Sequence, residues 1–235
     1  MRVPPYLNRL FLILLKANST FKSKIFYSQA CQDAFVYTLL YDIEKKSDKG
    51  YYLEIGAAHP IRISNTYFLE KNLDWKGLSI EISPHYQKLW ARKRRNQLLL
   101  VDATQTDYSI ILKPFPKIID YLSVDVDGQY DVVLNKIPFD KYIFKIITIE
   151  HDFYRFGAIY KDKERQILTS LGYQLLCSDV LAMGQGSFED WWVHPSGFAK
   201  EKLQELLSLD LKEKDPNEII SILIHRFNSE TDSLI

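Results

Sequence analysis

Acidic residues stand at the ends of successive apolar segments of this 235-residue chain, and a glycine ends the first segment. Short continuous apolar runs indicate strands that are buried in a parallel sheet, and the carboxyl ends of such strands meet at one edge. The residues that end the runs in this way are Gly56, Glu81, Asp102, Asp125 and Glu150. Because a row of carboxylates is costly unless it binds a cation or hydrogen-bond donors, the pattern predicts a binding site at that edge.

Gly56 follows the first run, residues 51–55, and permits both a sharp backbone turn and the close approach of a ligand. Ser64, Asn65 and Thr66 then offer N-cap side chains for a helix over residues 67–73. A strand, a glycine turn and a helix in this order place the N–H groups of the helix start at the edge where α/β sheets bind ligands.

The composition is that of one globular domain with a substantial core, with 46% hydrophobic and 26% charged residues. Lys plus Arg equals Asp plus Glu at 30 each, a balance that argues against a general nucleic-acid binder. The two cysteines, Cys31 and Cys177, are too few for a disulfide framework and favour a reducing compartment. A cytoplasmic location is therefore predicted.

Hydrophobic periodicity predicts seven strands separated by helices and turns. The strands are expected at residues 51–55, 78–82, 98–101, 118–124, 144–149, 173–177 and 188–193. Helices are expected at residues 29–43 with Ser28 as N-cap, 67–73, from Pro84 to a basic solvated end at 91–95, 130–134 and 161–171. Because the link between the last two strands is short and has no helical pattern, these strands are expected to pair antiparallel.

The chain divides into a helical extension at residues 1–27, a domain at 28–196 and peripheral helices at 197–235. The apolar run at residues 10–15 is too short to span a bilayer, which needs about 20 residues. We expect an amphipathic helix at residues 6–16 that packs on the domain, and weak peripheral membrane contact is the alternative.

Several segments in this order are typical of one enzyme family. They are residues 52–57 with Asn65 and Thr66, 75–77 with 80–82, 122–128, 149–152 and 189–192, preceded by Ser28, Gln29, Gln32 and Asp33. From about residue 28 to residue 195, the chain resembles the FkbM-type class I S-adenosylmethionine-dependent methyltransferases. The resemblance implies a single Rossmann-like α/β domain, with a seven-stranded, mostly parallel sheet, an antiparallel last strand and helices on both faces. One departure is that the usual glycine-rich turn is reduced to Gly56, Ala57 and Ala58.

The resemblance implies a binding site for S-adenosylmethionine at the predicted edge, to which Asp125 also contributes. Glu81 is expected to accept hydrogen bonds from the ribose hydroxyls, since a carboxylate has acceptors for both. Glu54 is expected to hold the amino group of the cofactor, directly or by fixing the loop. Backbone N–H groups of Gly56, Ala57 and the helix start at Asn65 and Thr66 are candidates for its carboxylate. Asp102 would face the adenine amino group, or else form a solvated turn.

Methyl transfer to a hydroxyl requires alignment of the acceptor and removal of its proton by a base or with the help of a Lewis acid. By resemblance, Asp125 and Glu150 would hold Mg²⁺ or Mn²⁺, with His151 as a further ligand or as the base. Without a metal, His151 is the expected base, with Asp125 and Asp127 as further catalytic candidates. The alternative for His151 is a buried structural histidine.

The resemblance implies O-methylation of a hydroxyl on a sugar, in a surface polysaccharide or its precursor, or on a small metabolite. Trp191 or Trp192 is a candidate aromatic wall for such an acceptor, although strand alternation places only one of them on each face. The segment Asp125-Val126-Asp127 leaves open a metal-dependent glycosyltransferase, in which the two aspartates bind Mn²⁺ and a diphosphate. The single glycine of the first turn leaves open a non-catalytic methyltransferase-fold scaffold.

Overall fold

One mixed sheet of seven strands organises the residues described by the computed structural model, 24–181 and 186–228. The strands are β1 Tyr51–Ile55, β2 Lys76–Glu81, β3 Gln97–Leu100, β4 Ile118–Val124, β5 Ile143–Glu150, β6 Gln174–Leu181 and β7 Ser187–Val193. Their order is β3-β2-β1-β4-β5-β7-β6. All pairs are parallel except those of β7, which runs antiparallel to both β5 and β6. The predicted α/β fold class is confirmed, with the antiparallel strand lying inside the sheet.

Nine helices surround the sheet in the described part of the chain. They are α1 Gln32–Tyr37, α2 Tyr67–Leu73, α3 Gln87–Lys93, α4 Tyr108–Ile111, α5 Tyr130–Lys136, α6 Phe153–Phe156, α7 Ala158–Ser170, α8 Lys200–Leu207 and α9 Pro216–Asn228. A π-helical turn, Thr38–Ile43, continues α1, and a 3₁₀ turn, Pro84–Tyr86, precedes α3. Buried side chains of α1, α2, α8 and α9 pack on one face of the sheet, and those of α4, α5 and α7 pack on the other.

Strand alternation gives each face of the sheet its own core. One core receives Tyr52, Tyr121, Ile146 and Trp191 from four neighbouring strands. The other receives Leu53, Leu122, Ile147 and Trp192 from the same strands. Because helices cover both faces, Trp191 and Trp192 are only 0% and 1% exposed. The expectation that one of them forms a wall for the acceptor is therefore wrong.

The lead-in helix begins later than predicted. Its first residue is Gln32, with Cys31 rather than Ser28 at the N-cap position. The Ser28 hydroxyl instead donates a hydrogen bond to the buried Asp33 carboxylate, which also accepts the Tyr27 N–H at 2.7 Å. Burial raises the pKa of Asp33 to about 6. The carboxylate thus supplies local acceptors that hold residues 27–31 in a turn instead of a helix.

The C-terminal helices contribute to the first core and are not peripheral. Leu206, Ile219 and Leu223 are fully buried there, because α8 and α9 cover apolar side chains of the α1 segment and the sheet. The helix predicted at residues 6–16 lies outside the described residues. Each helix within residues 24–181 and 186–228 is too short or too polar to span a bilayer.

Glu164 is a buried carboxyl group of α7 on the second face of the sheet. Its Oε1 accepts the Trp192 Nε1–H at 3.1 Å, while Oε2 has no hydrogen-bond partner among the described residues. Burial raises the pKa of Glu164 well above its ordinary value, and the nearby Asp190 charge raises it further. We infer that Glu164 keeps its proton to a higher pH in the folded protein than in the unfolded chain.

Replacement of Glu164 by Gln should reduce the loss of stability at rising pH. The folded-state pKa lies above the ordinary value of 4.5. Wild type therefore loses up to about 1.4 kcal/mol of unfolding free energy per pH unit above that value, and the amide does not. Urea unfolding at about pH 5.5 and at about pH 8 measures this difference in stability. We expect the free energy of unfolding of Glu164→Gln, relative to that of wild type, to be higher at the higher pH. The exposed control Glu218→Gln should show no such change with pH. A pH-independent difference for Glu164→Gln would refute the assignment.

Candidate active site at the carboxyl edge of the sheet

Gly56 and Asp125 come into contact between β1 and β4, where the order of the strands in the sheet reverses. Strands β2 and β3 lie on one side of β1 and strands β4 and β5 on the other, which is the switch point at which α/β sheets bind ligands. Gly56 has a φ of 86°, and a Cβ at this position would lie 1.6 Å from the Asp125 carbonyl oxygen. The Asp125 N–H donates to the Ile55 carbonyl at 2.8 Å. The two strand ends therefore approach this closely only with glycine at position 56.

Glu81 connects the end of β2 to the turn after β1. Its Oε2 accepts the Ala58 N–H at 2.8 Å, and its Oε1 accepts the Ser83 N–H at 2.7 Å. Glu81 remains partly exposed. Because each carboxylate oxygen has a second lone pair, both can still accept a hydroxyl of a ligand. The carboxylate is therefore fixed in place and chemically suited to the ribose role.

Glu54 lies beneath the loop at residues 57–66 and is 2% exposed. Its Oε2 accepts the Thr66 hydroxyl at 2.8 Å and the Ser79 hydroxyl at 2.6 Å. Burial raises the pKa of Glu54, while Arg94 and these hydroxyls oppose the rise. These hydrogen bonds correspond to the indirect role expected for Glu54, in which its carboxylate fixes the loop.

The other candidates for cofactor binding have partners inside the protein. The N–H groups of Gly56 and Ala57 both donate to the Ile80 carbonyl, at 2.9 and 3.1 Å. Asn65 donates from Nδ2 to the Ser123 hydroxyl at 2.9 Å. Asp102 accepts the N–H and the hydroxyl of Thr104 at its Oδ1, which is the turn arrangement. The carboxylate of a ligand would thus need hydrogen-bond donors other than the backbone N–H groups of Gly56 and Ala57.

Asp125 and Glu150 form a pair of acids at the ends of β4 and β5. Burial and a hydrogen bond shared with Asp125 raise the pKa of Glu150 strongly. Asp125 reaches solvent but is closely surrounded by protein, and desolvation also raises its pKa. Such a pair titrates as a unit, so it holds a proton near neutral pH. Backbone strain marks the same edge, since Asp127 and Asp152 have φ values of 22° and 48°.

His151 is fully buried beside this pair, and its ring nitrogens point to other partners. Nδ1 accepts the Phe153 N–H at 3.3 Å, while Nε2 lies 3.7 Å from Asp190 Oδ1 and 4.0 Å from Asp179 Oδ1. Among the described residues, the one group of three possible metal ligands within 4.8 Å is His151, Asp179 and Asp190. The predicted set of Asp125, Glu150 and His151 is not such a group.

Two cations already neutralise the aspartates next to His151. Arg165 donates to both oxygens of Asp190, at 2.6 and 2.9 Å, and to Asp179 at 2.9 Å. Lys161 donates to Asp179 at 2.9 Å. With these charges in place, the cluster is an ion-pair network that joins α7 to β6 and β7, and a metal would have to displace Arg165.

Asp125 and Asp127 have separate partners. Asp127 has a 91% exposed side chain and pairs with Arg155 at 2.9 Å, whereas Asp125 interacts with Glu150. Two aspartates that bind one metal and a diphosphate would face the same point. The separate partners of Asp125 and Asp127 therefore give no support to the glycosyltransferase alternative.

Glu189 is a buried acid of the site that sequence reasoning did not single out. It lies directly opposite Glu150 in the pairing of β5 with β7. Its carboxylate accepts the Gln32 side-chain N–H at 3.1 Å and the Trp191 indole N–H at 2.7 Å. Burial raises the pKa of Glu189 to about 8. Residues 189–192 and Gln32 belong to the segments that carry the resemblance, but their contact joins residues 157 positions apart, and no local pattern predicts it.

Solved structures align with this chain at low TM-scores and low sequence identity. No protein-family model matches the chain, and no curated protein matches it. Fibrillarin from Aeropyrum pernix, solved with bound S-adenosylmethionine, aligns at a TM-score of 0.47 with 15% identity, over 76% of this chain and 85% of its own. Magnesium protoporphyrin IX methyltransferase from Synechocystis, also solved with bound S-adenosylmethionine, aligns at 0.44 with 13% identity, over 71% and 79%.

A protein from Streptococcus thermophilus with a hemolysin name aligns at a TM-score of 0.47 with 10% identity, over 89% of this chain and 78% of its own. At such scores and identities, the three likenesses carry no argument about activity. The fold class rests on the strand order and directions themselves.

Replacement of Gly56 by Ala should cost more stability than the same change at Gly172. Both glycines have a φ of 86°, but a Cβ at Gly172 meets nothing within 4 Å. We expect a loss of about 1 kcal/mol for Gly172→Ala from backbone strain and about 3 kcal/mol or more for Gly56→Ala, where a clash with the Asp125 carbonyl adds to the strain. Chemical denaturation measures both losses, and equal losses would contradict the close approach.

Proposed function

We propose that this chain is an S-adenosylmethionine-dependent O-methyltransferase. The observation that carries the proposal is the meeting of Gly56 and Asp125 at the switch point, next to the fixed carboxylate of Glu81. This edge combines acceptors for a ribose with a group that can take a proton. The resemblance of the sequence to FkbM-type methyltransferases gives the cofactor class.

The residues of the edge fit a cationic nucleoside cofactor. Glu81 would hold the ribose hydroxyls, and Asp102 would lie toward the adenine. The acidic pair of Asp125 and Glu150 favours a ligand that carries positive charge, as S-adenosylmethionine does. When bound, the cofactor supplies a methyl group on a sulfonium. Glu54 contributes by holding Thr66, and with it the loop above β1.

Asp125 is our choice for the group that accepts the proton of the acceptor hydroxyl. It reaches solvent at the end of β4, and desolvation makes its carboxylate a stronger base than an ordinary aspartate. His151 has neither ring nitrogen directed to the edge, so we assign it the task of holding the backbone at Phe153. A divalent cation on Asp125 and Glu150 is the alternative way to lower the pKa of the hydroxyl.

The acceptor is proposed to be a hydroxyl of a sugar, in a surface polysaccharide or its precursor, or of a small metabolite. This part rests on the resemblance alone. The chain has only two cysteines, and the Cys177 thiol is buried, which favours a reducing compartment for the reaction.

Titration calorimetry with S-adenosylhomocysteine tests the cofactor class. We expect micromolar binding by wild type and at least about tenfold weaker binding by Glu81→Ala, which loses charged acceptors for the ribose. The exposed control Glu201→Ala should bind like wild type. Binding of a UDP-sugar with Mn²⁺ in place of the thioether would establish the glycosyltransferase alternative. Equal affinity of wild type and Glu81→Ala would remove the ribose assignment.

Replacement of Asp125 by Asn should slow turnover by about 100-fold or more, because a general base contributes at least that factor. Affinity for S-adenosylhomocysteine, which lacks the positive sulfonium, should fall by a smaller factor than turnover does. Asp131→Asn, which alters an aspartate paired with Lys163 on the helix surface, serves as the control and should keep wild-type turnover. Full activity of Asp125→Asn would exclude the base assignment. Loss of activity in EDTA and recovery with Mg²⁺ would favour the metal route.

A further inference from the structure

We propose that Arg94 and Trp90 are positioning residues for the cofactor loop, defined as residues 57–66. Trp90 belongs to α3, and Arg94 follows the last residue of that helix. The sequence favours a solvated basic helix end here, with a polyanion site as the alternative. The inference rests on the proposed function, because the loop is the part of the edge that would receive the methionine portion of S-adenosylmethionine.

Four hydrogen bonds from these two side chains hold the cofactor loop along its length. The Trp90 indole N–H donates to the Ala58 carbonyl at 2.9 Å. Arg94 Nη1 donates to the Pro60 carbonyl at 3.1 Å and to the Ser64 hydroxyl at 3.3 Å. Arg94 Nη2 donates to the Thr66 hydroxyl at 2.8 Å. The start, middle and end of the loop are therefore attached to one helix end.

The guanidinium group of Arg94 is buried and uses every donor it has. Its side chain is 0% exposed, and Nε donates to Glu70 at 2.8 Å, where the two form an ion pair. Nη2 also donates to the Tyr52 hydroxyl at 2.8 Å, and the group lies 4.3 Å from the Trp90 ring centroid. Five N–H bonds in a fixed planar fork are specific to arginine, and lysine cannot reproduce them. With no donor left for a ligand, Arg94 acts only through the loop.

The cofactor loop needs these attachments because its backbone is strained. Ala58 and Ile63 have φ values of 42° and 51°, which side-chain-bearing residues rarely adopt. Such conformations cost about 1 kcal/mol or more each, and they persist only where the surroundings determine them. The backbone N–H of Ala58 donates to the Glu81 carboxylate, and its carbonyl accepts the Trp90 indole N–H. The cofactor loop, whose residues 57–66 include no glycine, is thus kept in shape by the side chains of Glu81, Trp90 and Arg94.

Arg94 also sets the charge beneath the loop. Glu54 and Glu70 are both buried, and Arg94 is the cation that opposes them. Thr66 Oγ1 accepts from Arg94 and donates to Glu54, so one hydroxyl connects the cation to the acid at the end of β1. Loss of the fork would release Thr66 and leave Glu54 without its nearest compensation.

Calorimetry of Arg94→Lys with S-adenosylhomocysteine tests the positioning role. We expect the variant to bind with a stoichiometry near that of wild type but with a Kd raised about tenfold, since charge-assisted hydrogen bonds to the loop are lost. Turnover at saturating S-adenosylmethionine should stay within about threefold of wild type. A purely structural role would instead lower the stoichiometry and turnover together and leave the Kd of the folded fraction unchanged.

Arg95→Lys is the matched control, because Arg95 is 61% exposed and pairs with Asp74. It should bind like wild type. Trp90→Phe keeps an aromatic ring at this position but removes the indole N–H that donates to the Ala58 carbonyl, together with part of the buried ring volume. It tests the positioning role if Arg94→Lys does not fold. We expect its Kd to rise about threefold or more.

Two failures can be told apart. Absence of binding by wild type would overturn the proposed function and this inference with it. Binding by wild type with an unchanged Kd in both Arg94→Lys and Trp90→Phe would overturn the positioning role alone.

Discussion

The contact between Gly56 and the Asp125 carbonyl is the constraint on which the candidate site depends. It allows β1 and β4 to remain paired up to their ends, where Asp125 donates its N–H to Ile55. The same pairing carries Asp125 to the exposed edge and places it next to Glu150 of β5. On the other side of β1, Glu81 fixes the turn that Gly56 begins. A side chain at position 56 would separate these elements.

Charge pairing distinguishes the edge from the structure beneath it. Arg94 opposes Glu54 and Glu70 under the cofactor loop, and Arg165 with Lys161 opposes Asp179 and Asp190 under β7. Asp125 and Glu150 lie between these two networks, and the hydrogen bond between them raises the pKa of Glu150. Buried charges are costly unless they are paired, so a cationic ligand bound at Asp125 and Glu150 would compensate the charge that this pair retains.

The sequence predicts the sheet well because its strands are continuous apolar runs, and the acids at their ends converge because parallel strands share one edge. Directions of individual side chains depend on packing that no local pattern contains. His151 follows a strand end as Asp125 does, yet β6 and β7 fold over it and turn its Nε2 toward Asp190. Arg94 sits next to the exposed Arg95 in a basic run, and only contacts with residues 24 to 42 positions away show that it is buried. Trp191 and Trp192 alternate as expected, but helices cover both faces.

Hydrogen exchange measured with and without S-adenosylhomocysteine tests the central claim, that the β1–β4 switch point is the ligand site. The account predicts slower exchange of backbone amides in residues 56–66 and 81–83 on binding. Exchange in helices α5 and α7, which lie on one face of the sheet, should change little. Protection confined to residues 130–136 and 158–170, or no protection at residues 56–66 under conditions where calorimetry shows binding, would contradict it.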